Sequence, residues 1–90
     1  MLEFEFDNNK SDSNSIKHGI SFTEAQQLWD DVRRIEIPAR TDREPRFALI
    51  GKIEQKVWTA VITYRQSKVR IISVRRARDK EIAAYEEKDN

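Results

Sequence analysis

The chain has no cysteine and a single histidine, His18. Without thiols it can build neither a disulfide framework nor a thiolate site, and one imidazole leaves no ligand set for zinc. Long apolar runs are also missing, and acids (Glu3, Glu5, Asp7) stand where a secretory leader would carry cations. These absences lead to the expectation of a cytoplasmic protein with no metal, no cofactor and no membrane contact. Metal-free chemistry or pure binding remains. Ninety residues are expected to make one domain, 1–90, near the lower size limit, with one core and one functional face.

What the chain has in abundance is charge, and the two signs are segregated. The formal net charge is +1, yet the stretch from Arg33 to Lys80 holds 14 lysines and arginines against 5 acids, while the two ends together hold 3 against 11. If the fold does not interleave these parts, one face carries a positive potential that draws in polyanions such as nucleic acid.

Hydropathy patterning gives an α+β order. Leu2 to Phe6 alternates apolar and acidic residues and reads as a short half-buried strand. Asp7 is placed to cap a helix, but Asn8 to His18 is dense in serine and asparagine with Ile16 as its one bulky apolar residue, so propensity favours a loop. Gly19 suits a left-handed helix end, and Ser21 with Glu24 forms a capping box opening a helix from Phe22 to about Asp30. Val32 to Pro38 alternates as a strand. Arg46 to Ile53, Val57 to Arg65 and Lys68 to Val74 follow, separated by Glu54-Gln55 and Gln66-Ser67, the spacing of consecutive antiparallel hairpins. Asp79 to Glu87 places Ile82 and Tyr85 on one face of a closing helix. Trp29 and Trp58 read as core.

The most informative segment is Arg70 to Ala77, a β-branched strand with cations at both ends. Strand alternation sends Arg75 and Arg76 to opposite faces, where each either meets phosphate or pairs with a carboxylate.

The runs Phe4-Glu5-Phe6-Asp7, Asn14, Lys17-His18-Gly19-Ile20-Ser21-Phe22 with Glu24-Ala25, Arg46-Phe47 with Ile50-Gly51, Tyr64, and Ile71-Ile72-Ser73 through Arg75-Arg76-Ala77 occur in the order of a known family. From about Glu3 to Glu86 the chain resembles the BrnT toxins. The resemblance implies a RelE-like ribonuclease fold, with an N-terminal strand and two helices packed on a central antiparallel sheet and a C-terminal helix closing it. It makes Asn8 to His18 helical, against propensity. It also implies RNA cleavage that arrests translation, and neutralisation by BrnA, a ribbon-helix-helix antitoxin through which alone the toxin meets DNA. Family members often carry a threonine after Arg-Arg-Ala. Here Arg78 stands in its place, so the last helix must use Asp79 as its cap or start weakly.

Metal-independent RNA cleavage needs a base for the 2′-hydroxyl, an acid for the leaving 5′-oxygen and fixed cations around the transition state, and it leaves a cyclic phosphate. His18 is the only side chain whose ordinary pKa lies near neutrality, and Lys17 adjoins it; the alternative for His18 is a polar helix-end residue bonded to backbone. Arg46, Arg75 and Arg76 are the candidate phosphate ligands, and they are expected to converge with His18 around one anion. Tyr64 either stacks on a base or finishes the core. Glu44 is either a second candidate base or a salt-bridge partner of an arginine. Two rival functions share the scaffold: a RelE/ParE-fold toxin acting on gyrase, and a non-catalytic module that holds RNA or an acidic antitoxin tail.

Overall fold

The computed structural model describes residues 2–88. Strand β1 (Glu3–Glu5) leads into helix α1 (Asn8–His18) and helix α2 (Phe22–Ala25), which runs on as a 3-10 helix (Gln26–Asp30). Strands β2 (Ile35–Ala39), β3 (Arg46–Ile53), β4 (Lys56–Arg65) and β5 (Lys68–Arg76) follow, and helix α3 (Asp79–Lys88) closes the chain. The five strands form one sheet in the order β1-β5-β4-β3-β2. β2 to β5 make the expected antiparallel meander, but β1 joins parallel to β5, with Glu3, Phe4 and Glu5 opposite Lys68, Val69 and Arg70. The sheet is therefore mixed rather than antiparallel. Two intervening helices let the chain leave β1 and return to the meander at the far edge, a path that a hairpin could not follow.

The parallel pairing also answers the question of charge. It sets acids of the N-terminal end beside cations of the basic middle, pairing Glu5 with Arg70 at 3.0 Å and Glu3 with Lys68 at 3.9 Å. At the other end of the chain Glu81 pairs with Arg75. The segregation written along the sequence is thus partly interleaved in space, and what survives is local.

Three local expectations meet their residues. The Asp7 carboxylate accepts from the N–H groups of Asn9 and Lys10, and Gly19 ends α1 at φ 79° with its N–H on the Ser15 carbonyl. Ser21 and Glu24 exchange both bonds of a capping box. The second helix departs from expectation, because from Gln26 it tightens into a 3-10 helix. A three-residue repeat stacks Ala25, Leu28 and Asp31 in one column. Ala25 and Leu28 are fully buried there, and the Asp31 carboxylate accepts from the Lys52 N–H at 2.8 Å. Val32 is 90 % exposed and lies before β2, which begins only at Ile35.

One face of the sheet packs on α2, its 3-10 extension and the link before it through Leu49, Trp58, Ala60, Ile62, Val69, Ile71 and Val74 against Ile20, Phe22, Ala25 and Leu28. Trp58 belongs to that core, and Trp29 meets Phe4 edge to face at 4.9 Å. The other face is covered at one end by α3, where Ile50 and Val57 meet Tyr85 and Ile82. Between Val61 and Ile62 the register slips, so that Ser73 and Ile71 are paired and Ile72 is left over as a bulge. The bulge resets the alternation of β5 and lets Val69, Ile71 and Val74 all enter one core. No helix among the described residues is long and apolar enough to cross a membrane.

Candidate active site

β1 pairs only with Lys68 to Arg70, so past Arg70 the outer edge of β5 has backbone groups with no neighbouring strand. Asn14 takes that place. Its Oδ1 accepts from the Val74 N–H at 3.2 Å, and its Nδ2 donates to the carbonyls of Val74 at 2.9 Å and Ile20 at 2.8 Å. A carboxamide carries the donor and acceptor of a peptide group, so one buried side chain caps the strand edge. Ser11, one turn earlier, accepts from the Phe22 N–H at 2.9 Å. These contacts make α1 helical against its propensity; Ile16, its one bulky apolar residue, is 89 % exposed.

Because both anchors are neutral, docking α1 consumes none of its cations. The face that carries Asn14 also carries Lys10, Ser13, Lys17 and His18, which with Ile72 and Ser73 line a cavity of about 240 Å3. That spacing is a single helical face. A second cavity of about 140 Å3 is lined by Arg46, Arg65 and Arg70 from three strands, by Lys10, and by Asp7 and Glu44. The two cavities share Lys10 and Ile72. One basic groove therefore follows α1 from His18 and passes the bulge to the arginines.

The expected convergence of Arg46, Arg75, Arg76 and His18 around one anion does not occur. His18 and Lys17 line the first cavity, Arg46 and Glu44 the second, and Arg75, Arg76 and Tyr64 neither. Strand alternation separates Arg75 from Arg76. Arg75 donates to both oxygens of Glu81 at 2.7 and 2.9 Å. Glu81 accepts in addition from the Thr59 hydroxyl at 3.0 Å and the Arg78 N–H at 2.8 Å. The Arg75 hydrogen bonds, helped by those two donors, outweigh burial and hold the Glu81 carboxyl down to about 2; the same pair pushes Arg75 further up. Glu81 thereby caps α3 through the Arg78 N–H, which resolves the missing threonine: the cap comes from the third helical residue.

Arg76 lies on the opposite face with its guanidinium 5.5 Å from the Trp58 ring centre. Tyr64 donates to Glu36 and tilts against Phe47 at 5.6 Å. Burial first, and then that bond to Glu36, pushes the Tyr64 phenol up to about 12, so it stays protonated at neutral pH with its proton on Glu36. Glu44 accepts from Arg65 at 3.2 to 3.4 Å, the salt bridge that was its alternative role. A larger cavity, about 480 Å3, lies around Asp31, Lys52 and Tyr85. Burial would raise Asp31 there, but the Tyr85 hydroxyl and the N–H groups of Arg33 and Lys52 outweigh it and keep the carboxyl low. None of the candidate residues lines that cavity.

Sequence reasoning missed Lys10, Asn14, Arg65 and Arg70 as groove residues. For Lys10 and Asn14 the signal was available once Asn8 to His18 is wound as a helix, since both share a face with Lys17 and His18. Arg65 and Arg70 carry no such signal, because only the pairing of β3, β4 and β5 brings them beside Arg46.

A family model described as the ribonuclease toxin BrnT of type II toxin–antitoxin systems matches residues 6–81 of the chain. No curated protein aligns significantly with it.

Proposed function

The chain belongs to the BrnT family of ribonuclease toxins of type II toxin–antitoxin systems, and from that premise we propose how it acts. It is a RelE-like, metal-independent endoribonuclease of the cytoplasm that stops translation and growth. It is neutralised by a ribbon-helix-helix antitoxin of BrnA type. The observation that carries this reading is the groove beside α1, where His18 and Lys17 share one cavity with Ile72 and Ser73 of the bulge.

In this reading His18 takes the proton of the 2′-hydroxyl, whose oxygen attacks the adjacent phosphorus while the bond to the 5′-oxygen breaks. The products are a cyclic phosphate and a free 5′-hydroxyl, the leaving oxygen taking its proton from solvent water while His18 keeps the one it removed. Lys17 offers its ammonium to the charge that builds on the phosphate oxygens. Neutral docking of α1 supports the assignment, because both groups stay available at the groove. Arg75, fastened to Glu81, serves in this reading to hold α3 rather than to touch RNA.

A second reading, a non-catalytic module that binds RNA or an acidic antitoxin segment, is favoured by the ion pairs that occupy Arg75 and Glu44. Purified protein incubated with total RNA in EDTA separates the two. The ribonuclease reading expects fragments ending in cyclic phosphate, and a loss of at least about 100-fold in rate for His18→Ala with the fold intact. Cleavage that EDTA abolishes, or a His18→Ala protein as active as wild type, would overturn it. Inhibition of supercoiling without RNA cleavage would instead favour gyrase as target.

A further inference from the structure

The second cavity has no part in the reaction as described, yet four of the residues that line it are cations. Arg46 opens β3, Arg65 ends β4, Arg70 lies on β5, and Lys10 reaches in from α1. Two of the four have carboxylate partners. Arg65 meets Glu44 at 3.2 Å and Arg70 meets Glu5 at 3.0 Å. Asp7, the remaining acid of the lining, is engaged by the N–H groups of Asn9 and Lys10. Arg46 and Lys10 make no ion pair among the described residues.

The four cations thus face three carboxylates, one of which already caps a helix. Glu44 and Glu5 fix the direction of two guanidinium groups, and Lys10 and Arg46, without an ion pair among the described residues, supply the remaining charge. At about 140 Å3 the space equals roughly four or five waters, room for a tetrahedral anion with part of its hydration. Guanidinium forks arriving from three strands suit an anion with several oxygens at fixed angles.

We propose that this cavity is a phosphate subsite for single-stranded RNA, holding a backbone phosphate next to the one that is cut. The inference rests on the ribonuclease reading for what lies at His18. Lys10 and Ile72, shared by the two cavities, place the subsite one step along the same groove. A chain of two nucleosides has a single phosphate and leaves the subsite empty; a longer chain fills it. The groove therefore favours substrates that continue past the scissile bond.

The test uses the double variant Arg65→Gln/Arg70→Gln, and the single Arg65→Gln, whose ion pair is exposed and whose folding is checked by thermal melting. Cleavage of a dinucleoside monophosphate is compared with cleavage of a hexanucleotide. The proposal expects KM for the hexanucleotide to rise at least about tenfold with kcat unchanged, the loss of charge-assisted bonds, while the dinucleoside reaction stays as in wild type. A parallel fall for both substrates, or no change for either, would overturn it.

If the wild-type protein cuts neither substrate, the ribonuclease reading fails separately, and binding of a 2′-O-methyl hexanucleotide decides the subsite. Weaker binding by the variants, with a salt dependence shallower by about one in log–log slope per lost contact, supports it; equal binding overturns it. A hexaglutamate peptide forms the last arm. If wild type binds that peptide more tightly than the hexanucleotide, and the variants lose it, the cavity serves a protein partner's carboxylates and the proposal falls.

Discussion

Helices α1 and α3 are both polar, yet they are fastened in opposite ways. α1 is held by the neutral side chains of Ser11 and Asn14, each bonded to backbone. α3, besides the apolar contacts of Ile82 and Tyr85, is held by charge: Glu81 on Arg75, supported by Tyr85 donating to Asp31 at 2.6 Å. The neutral anchor leaves Lys10, Lys17 and His18 facing the groove, whereas the ionic anchor consumes Arg75, one of the arginines that the sequence puts forward as phosphate ligands. How an element is docked decides which of its charges are left to do chemistry.

The comparison breaks most visibly at Asn14. Replacing it by leucine keeps the volume but strands the Val74 N–H and two carbonyls in a buried place. The expected loss is about 3 kcal/mol, a fall of roughly 12–24 °C in Tm for a domain of this size, read by thermal denaturation. A melting point within a few degrees of wild type would show that α1 is held by something else.

The ionic anchor adds a pH signature that the neutral one lacks. The Glu81 carboxyl is held at about 2 in the folded chain against an ordinary value of 4.5. The folded value is the lower one, so the stability it contributes is present above about 4.5 and fades as pH falls toward 2. Its size is on the order of 2–3 kcal/mol. Urea unfolding of Glu81→Gln between pH 2 and 7 should show lower stability at neutral pH and a flatter acid limb. An acid limb as steep as that of wild type would place the titrating group elsewhere.

Smaller effects sharpen the same contrast. The Arg65–Glu44 pair is solvent-facing at 3.2 Å, so Arg65→Ala should cost less than about 1 kcal/mol in chemical denaturation. Ile16→Lys should leave stability within about 0.5 kcal/mol, since the one bulky apolar residue of α1 faces water; a larger loss would reveal an apolar contact on that face.

Much of the local structure was legible in the residues. Asp7, Gly19 and the Ser21–Glu24 box act within a few positions of themselves, and the turns at Glu54-Gln55 and Gln66-Ser67 separate strands whose alternation is plain. What was hidden depends on distance along the chain. α1 looks like a loop because the partner of Asn14 is Val74, and only the family resemblance supplied the helix. β1 looks like the start of an antiparallel sheet because nothing in three residues tells which strand they will join. The bulge at Ile72 cannot be read from a run of β-branched residues, yet it forms the junction of the two cavities. For the candidate site, His18, Lys17, Arg46 and Glu44 were named from chemistry and lie along the groove; Arg75, Arg76 and Tyr64 were named on the same grounds and lie away from it. Their partners Glu81, Trp58 and Glu36 became neighbours only through tertiary packing.

The central claim is that RNA lies in the groove beside α1. Titrating isotope-labelled protein with a 2′-O-methyl hexanucleotide and following backbone amide shifts locates the contact without requiring cleavage. Changes are expected to concentrate at Lys10 to His18, at Arg46 and from Arg65 to Ser73. Changes centred on α3 and the outer edge of β2, with α1 silent, would contradict it.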